Sequence, residues 1–95
     1  MYGVVRRYRG ASQVFDELER QRAEIERLLQ EVPGFAAYYL IRSGDGGASI
    51  TICQDQSGTQ ESTRVAADWL RQNVPAAAGN PPEVIEGEVI IQAGS

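Results

Sequence analysis

A chain of 95 residues is long enough for one domain, residues 1–95, with a modest core. Its formal net charge of -4 argues against a nucleic-acid partner, because phosphate binding needs a basic face. The chain contains no His and its nine basic residues are all Arg, which excludes an imidazole ligand for a metal or haem iron, a Ser–His relay and a Lys Schiff base. Any acid–base step must use a carboxylate, a Tyr, the single Cys53 or the substrate itself.

The sequence has no stretch that is long and apolar enough to cross a membrane, and residues 1–9 do not resemble a signal peptide. A lone Cys rules out an internal disulfide and fits a reducing compartment. We therefore expect a cytoplasmic protein without a membrane partner. The Lys-free composition, rich in Ala and Gly, suggests a bacterial source.

The chain begins with a predicted strand and a predicted helix. Residues 2–9 are rich in β-branched and aromatic side chains, which predicts a first strand. Residues 12–32 predict one amphipathic helix, because Ser12 suits the N-cap and apolar residues recur at helical spacing. The apolar stripe has one defect, at Gln21 and Arg22.

A second strand follows directly. Pro33 and Gly34 stop the helix, and residues 35–42 form an apolar run without the polar alternation of a half-exposed strand. Successive strand side chains point to opposite faces, so Tyr38 and Tyr39 face opposite ways, and the sequence does not say which faces the helices. Both faces of this strand therefore need burial.

The rest of the chain predicts a hairpin, a helix and a last strand. A Gly-rich turn leads into a third strand at residues 48–54. A pattern resembling a capping box, at Ser57 and Gln60, begins a helix that runs to about Asn73. The last predicted strand covers residues 83–93, centred on Val89, Ile90 and Ile91.

The element order β-α-β-β-α-β predicts an α+β fold of the ferredoxin-like type. Right-handed crossovers place both helices on one face of a four-stranded antiparallel sheet. The other face carries apolar residues as well, and a bare apolar sheet face is a large exposed patch. We therefore expect a homodimer in which sheet packs on sheet.

At this point the sequence resembles the dimeric α/β-barrel superfamily, and more narrowly its antibiotic-biosynthesis-monooxygenase-like domain. The resemblance covers almost the whole chain. It rests on the order of the elements and on two short segments. Residues 32–35, Val-Pro-Gly-Phe, lead into the second predicted strand, and residues 52–55, Ile-Cys-Gln-Asp, precede the polar start of the second predicted helix. It implies a pocket between sheet and helices. The superfamily includes cofactor-free oxygenases of polycyclic phenols, haem-degrading enzymes, haem peroxidases and lactone isomerases.

The chain departs from the family pattern at several positions. The haem-degrading branch has a Trp on helix two followed by an iron-binding His, and Trp69 matches only the Trp. Because no His follows, we expect no haem partner. A Trp after strand three and a His in helix two, frequent in the family, are also missing.

Five residues are candidates for binding a ligand: Trp69, Asn73, Arg22, Tyr38 and Tyr39. An indole wall with a nearby amide suits an aromatic ligand that carries hydroxyl or keto oxygens. The plainer interpretation makes Trp69 a core residue, sends Arg22 past its neighbours to solvent, and leaves the tyrosines as space-filling side chains. The sequence assigns no catalytic residue and no metal site.

The Arg residues of the first strand and the single Cys are interpreted as parts of the fold and not of a binding site. The three basic residues of the first strand are expected to pair with carboxylates near neighbouring strands, rather than to form an anion site. Cys53 in the middle of a strand is more often an inert small hydrophobe than a nucleophile. The basic residues are Arg6, Arg7 and Arg9, and the carboxylates are Glu83, Glu86 and Glu88.

Two functions remain open from the sequence. One is a cofactor-independent oxygenase of a polycyclic phenol or similar aromatic, which needs neither metal nor His because an electron-rich phenolate can pass an electron to O2 itself. The other is a non-enzymatic homodimer that binds a small molecule or serves as an assembly or regulatory module. Lactone isomerisation would need an inward acid–base pair, which the sequence does not offer.

Overall fold

The computed structural model describes residues 1–10, 12–75 and 81–94 of the chain. Four strands and three helices follow one another as β1-α1-α2-β2-β3-α3-β4. Within these residues no helix combines the length and hydropathy needed to span a bilayer. The elements are β1 Tyr2–Tyr8, α1 Ser12–Arg20, α2 Arg22–Gln30, β2 Phe35–Ser43, β3 Gly46–Cys53, α3 Gln56–Asn73 and β4 Glu83–Glu88.

The strands form one antiparallel sheet in the order β2-β3-β1-β4. The helices lie against one face: α1 and α3 contact β3, α3 also contacts β1, and α2 contacts β2. The predicted ferredoxin-like α+β fold is therefore confirmed. Its first crossover contains two helices where the sequence predicted one.

The first crossover helix is broken at Gln21. This residue has φ -107° and ψ 33°, outside the helical region, although its N–H still donates to the Glu17 carbonyl at 3.0 Å. The side-chain amide of Gln21 also donates to the Glu17 carboxylate. The predicted continuous helix over residues 12–32 is thus wrong. The polar defect in the apolar stripe marks the place where α1 ends and α2 begins.

The start of α3 is held by Asp55 rather than by the predicted cap at Ser57. The Asp55 carboxylate accepts the Gly58 N–H at 3.1 Å and the Ser57 hydroxyl at 2.7 Å. An acid at this position also faces the positive end of the helix dipole. The predicted end of the helix, Asn73, is confirmed.

The last strand is shorter than predicted, because β1 is its only neighbour among the described strands and offers no further partners. Tyr2 pairs with Glu88, and one more hydrogen bond joins the Val89 N–H to the Met1 carbonyl at 2.9 Å. Beyond that bond the prediction of a strand to residue 93 is wrong. Ile90 and Ile91 are almost fully exposed.

The two faces of the sheet have opposite character. The side chains towards the helices include Arg6, Ser49 and Thr51, all buried, together with Val4 and Tyr38. The other face, here called the open face, carries exposed apolar residues, among them Tyr39 and Ile85 at 59% exposure each. The open-face apolar set is Val5, Tyr39, Ile41, Ile50, Ile52 and Ile85.

A test of the packing of α3 on the sheet is Gly58→Ala. A Cβ at Gly58 would lie 2.7 Å from the Pro33 carbonyl oxygen and 2.8 Å from Cys53 Cβ, so the helix must move away. Overpacking of this kind costs about 1–3 kcal/mol of unfolding free energy, which corresponds to a fall in Tm of roughly 5–15 °C. Gly87→Ala is the matched control, since a Cβ there meets nothing within 4 Å. Thermal unfolding that shows equal Tm values for the two variants would contradict the close approach.

Candidate functional site

Two clefts flank a small chamber between the sheet and the helices. The first, called the lateral cleft, has a volume of about 500 Å³ and lies between α1, α2 and β2. Its size falls within the range of small-molecule sites. Its floor is largely apolar and charged side chains lie around it. The lining residues are Phe15, Leu18, Glu19, Arg22, Ile25, Glu26, Leu29, Gln30, Phe35, Ala37, Tyr38, Leu40 and Arg42.

The chamber lies deeper, under α2 and α3. It measures about 30 Å³, room for little more than one water molecule. It shares Leu18, Ile25, Leu29 and Tyr38 with the lateral cleft, so these four side chains form the wall between the two spaces. On its other sides the chamber is lined by Arg6, Tyr8, Leu28, Ser49, Val65, Ala66, Trp69 and Leu70.

A second cleft lies on the far side of the chamber, between α3 and β4, and is called the α3–β4 cleft. Its volume is about 350 Å³. Arg6, Tyr8, Ala66 and Leu70 are common to this cleft and the chamber. The remaining lining residues are Thr63, Ala67, Arg71, Pro81, Pro82 and Val84.

Tyr38 is the predicted residue that the structure places most centrally. Pairing opposite Thr51 turns its side chain towards the helices, where it lines both the lateral cleft and the chamber. Burial, with a smaller contribution from the nearby Tyr8, raises the pKa of the Tyr38 phenol to about 12, against the opposing effects of the Arg6 charge and of a hydrogen bond with Ser49. The phenol therefore stays protonated at neutral pH and can donate a hydrogen bond.

Trp69 and Asn73 share one side of α3 but not one environment. Trp69 is buried, packs with Val14 and Leu18 in the core, and lines the chamber. Trp69 is therefore both a core residue, as the plainer interpretation has it, and part of the chamber wall. Asn73 is exposed at the end of the helix, where its side-chain amide donates to the Trp69 carbonyl at 2.9 Å.

Arg22 and Tyr39 lie further from the chamber. Arg22 lines the lateral cleft, but its side chain is 81% exposed and lies 3.8 Å from the Glu26 carboxylate. Tyr39 is on the open face of the sheet. Of the five predicted residues, the structure brings Tyr38 and Trp69 together at the chamber and adds Arg22 at the lateral cleft.

Sequence reasoning missed Arg6. It was expected to pair with a strand carboxylate, and this is wrong: its side chain is 3% exposed and faces the helices. The other two Arg residues of the group do pair with a strand carboxylate, as predicted: Arg7 lies 3.7 Å and Arg9 3.9 Å from Glu83. The sequence did contain one signal for this difference: successive strand residues face opposite ways, so Arg6 and Arg7 cannot lie on the same face of the sheet.

Four hydroxyl groups surround the Arg6 guanidinium. Nη1 donates to Ser49 Oγ at 3.5 Å and to Thr51 Oγ1 at 3.3 Å. Nη2 donates to Ser62 Oγ at 3.1 Å and to Thr63 Oγ1 at 2.6 Å. The Nε–H is buried and has no partner among the described residues.

The direct partners of the Arg6 charge are therefore neutral hydroxyl groups. Among the described residues no carboxylate lies within 4 Å of its guanidinium, although Glu86 acts on it from a distance. Burial lowers the pKa of Arg6, but a guanidinium keeps its proton at any physiological pH. A buried positive charge without an anion is costly, which makes this the most unusual electrostatic feature of the described structure.

The part of the chain that the structure describes offers no evident metal site. No group of three acidic, Cys or His residues is close enough there to hold an ion. Cys53 is buried against the start of α3, and burial raises the pKa of its thiol, which disfavours the reactive thiolate.

No family profile and no curated protein matches this chain. Solved structures do. The NE2512 protein of Nitrosomonas europaea, of unknown function, is 18% identical with a TM-score of 0.75, covering 99% of this chain and 93% of that one. A candidate antibiotic biosynthesis monooxygenase from Bordetella bronchiseptica is 16% identical with a TM-score of 0.70, covering 95% and 97%. SnoaB, a cofactor-independent oxygenase from Streptomyces nogalater, is 15% identical with a TM-score of 0.60, covering 99% and 95%.

These likenesses confirm the expected resemblance at the level of the fold. They also correct the expectation that haem is excluded. The haem degrader MhuD of Mycobacterium tuberculosis, 17% identical with a TM-score of 0.63 over 99% of this chain and 100% of that one, holds two haems in its active site. The missing His excludes a bond between an imidazole and haem iron. It does not exclude haem as a partner, so that part of the expectation was wrong.

The raised pKa of Tyr38 gives a test of its burial. In the unfolded chain the phenol ionises near its ordinary value of 10.0, and in the folded protein near 12, so the folded state binds the proton more tightly between these values. The contribution of the Tyr38 phenol to the free energy of unfolding should therefore be complete below pH 10 and should fall as the pH rises towards 12. The fall should be roughly 1–2 kcal/mol greater than in Tyr38→Phe, after allowance for partial exposure.

Urea unfolding from pH 9 to pH 12 measures this dependence. Tyr39→Phe is the matched control for removal of a tyrosine hydroxyl, because the neighbouring side chain lies on the open face and not against the helices. Equal slopes for the parent and for Tyr38→Phe would show that Tyr38 is not shielded from solvent.

Proposed function

We propose that this protein is monooxygenase-like, and that it binds an aromatic molecule carrying phenolic or keto oxygens in the lateral cleft and oxidises it with O2. The observation that carries the proposal is the cleft itself, about 500 Å³ with an apolar floor and the protonated Tyr38 phenol where it meets the chamber. A planar polycycle fits this volume, and a single polar group at the inner end would fix its orientation.

The reaction needs little from the protein beyond binding. An electron-rich phenolate passes an electron to O2, oxygen joins the ring, and loss of water gives the quinone, so one O2 is consumed for each quinone and water formed. Tyr38 would donate to the developing oxyanion, and the apolar walls would keep water out. Arg22, paired with Glu26 at the exposed side of the cleft, would contact the polar edge of the substrate at the entrance.

Trp69 and Asn73 have supporting places in this proposal. Trp69 closes the chamber behind Tyr38, so a smaller residue there would enlarge the chamber and deepen the site. Asn73 holds the Trp69 carbonyl at the last turn of α3 and would act on the site through the indole. The cofactor-independent oxygenase SnoaB shares this fold, which supports the reaction class without assigning a substrate.

Binding and turnover can be measured separately. Thermal shift against dithranol, a hydroxylated anthrone, and against quinones, flavins and haem should show a rise in Tm for the aromatic oxygen compounds, by linkage. Oxygen uptake with dithranol should then fall on the order of 10²-fold in Tyr38→Phe, because a donor to the oxyanion is lost. Tyr39→Phe should keep the parent rate. Uptake no faster than the protein-free background would overturn the oxygenase proposal.

A non-enzymatic role is the second candidate. The specific observation in its favour is the size of the chamber, which at about 30 Å³ leaves Trp69 and Arg6 without direct access to a large ligand in the lateral cleft. A rise in Tm with a ligand, without oxygen uptake, would support a small-molecule-binding or regulatory module instead.

We further propose that the functional unit is a homodimer joined through the open face. Tyr39, Ile41 and Ile85 are about half exposed there, and an apolar sheet face of this extent is favourably buried against a copy of itself.

Mass in solution tests the dimer. At micromolar concentration the parent protein should have twice the mass of the 10.4 kDa chain, and Ile85→Glu should shift it to monomer by placing a charge on the open face. Glu86→Gln, next in sequence and on the helix side of the sheet, should leave the mass unchanged. A monomeric parent protein would rule out the proposed dimer.

A further inference from the structure

The α3–β4 cleft is electrostatically unlike the lateral cleft. Its charged lining residues are Arg6 and Arg71, and no carboxylate lines it among the described residues. Arg71 is exposed and paired with Asp68, whereas Arg6 is buried. The cleft is thus an apolar slot with one buried positive charge in its inner wall, on which Glu86 acts only from a distance.

The partners of Arg6 do not exhaust its capacity to donate. Four N–H groups reach hydroxyls, two of them over 3.3 and 3.5 Å, and the fifth, on Nε, reaches no acceptor. Long contacts of this kind are weak and can be exchanged for a better acceptor. The guanidinium therefore has both a free donor and replaceable ones.

The hydroxyls on α3 act only as acceptors towards Arg6. Ser62 Oγ donates its proton to the Thr59 carbonyl at 2.7 Å, and Thr63 Oγ1 donates to the same carbonyl at 3.0 Å. Their lone pairs are turned to the guanidinium, and they cannot themselves hold an anion. The positive charge of the site thus comes from one residue.

We propose that the α3–β4 cleft binds an apolar organic monoanion, with its carboxylate against the Arg6 guanidinium. The body of the ligand would lie between the two elements, along Ala66, Leu70, Pro82 and Val84. A carboxylate matches the single charge and the planar fork of the guanidinium. A phosphate dianion would need further donors, which the hydroxyls of Ser62 and Thr63 do not supply.

This inference goes beyond the proposed oxygenase function and is independent of it. The lateral cleft does not include Arg6, and the α3–β4 cleft does not include Tyr38. Each site is tested by its own ligand and variant, although Arg6 and Tyr38 both line the chamber between the two clefts and the Arg6 charge acts on the Tyr38 phenol.

Isothermal titration with 2-naphthoate tests the carboxylate site, with the neutral isostere 2-naphthamide as the matched ligand. The parent protein should bind the carboxylate at least 10-fold more tightly than the amide. Arg6→Met, which keeps an apolar stem and removes the charge, should abolish that preference, and Arg7→Met, at the exposed neighbouring position, should retain it. Ala67→Phe should weaken both ligands by filling the cleft without touching the charge.

Equal affinity of the parent protein for carboxylate and amide would overturn the proposal, as would tighter binding of inorganic phosphate than of 2-naphthoate. If neither acetate, benzoate nor 2-naphthoate binds at millimolar concentration, the Arg6 charge is structural only and the proposal fails. The comparison of the two ligands on the parent protein keeps the test decisive even if Arg6→Met does not fold.

Discussion

The burial of one guanidinium between sheet and helices sets the chemistry of everything around it. Arg6 cannot lose its proton, so its burial at 3% exposure obliges the neighbouring elements to present oxygen atoms. β3 supplies Ser49 and Thr51, and α3 supplies Ser62 and Thr63. The interior of this small domain is consequently part polar, with the apolar core displaced towards Val14, Leu18 and Trp69.

The same constraint explains the reversal of the two sheet faces. With hydroxyls and a charge pointing inwards, Val5 of β1 and Ile50 and Ile52 of β3 fall on the other side of the pleat. An antiparallel sheet covered on one side ordinarily turns its polar residues to water. Here the uncovered face is the more apolar one, which is the physical basis for proposing that another copy of the chain covers it.

Much of the fold could be predicted from the sequence because it depends on local signals. Periodicity and the Pro33–Gly34 stop predict the order of elements, and Asn73 was correctly predicted as the end of α3. The break at Gln21 had a local signal, the polar defect in the apolar stripe, but periodicity alone does not say whether such a defect interrupts the helix. The short β4 depends on where its neighbour β1 begins, which periodicity does not report. Tyr38 and Tyr39 illustrate the same limit: alternation separates them, but only the pairing with β3 decides which one faces the helices.

The candidate site was harder to predict than the fold. Trp69 and Arg22 stand out in the sequence as an aromatic on an apolar stripe and a charge that interrupts one. Arg6 looked like one of several strand charges, because an isolated sequence shows neither burial nor the hydroxyls that surround the guanidinium. Its significance comes from residues 43 to 57 positions away, which only the tertiary structure brings to it.

The break at Gln21 has a consequence for the lateral cleft. α1 contributes Phe15, Leu18 and Glu19 to its wall, and α2 contributes Ile25 and Leu29. The two helices meet at a residue whose backbone lies outside the helical region, so the torsions of Gln21 and its backbone hydrogen bonds with Glu17 and Ile25 help to set the angle between them. The aperture of the cleft is thereby adjustable at one position that does not line it. A change at residue 21 can alter the size of the molecule admitted while every wall residue stays the same.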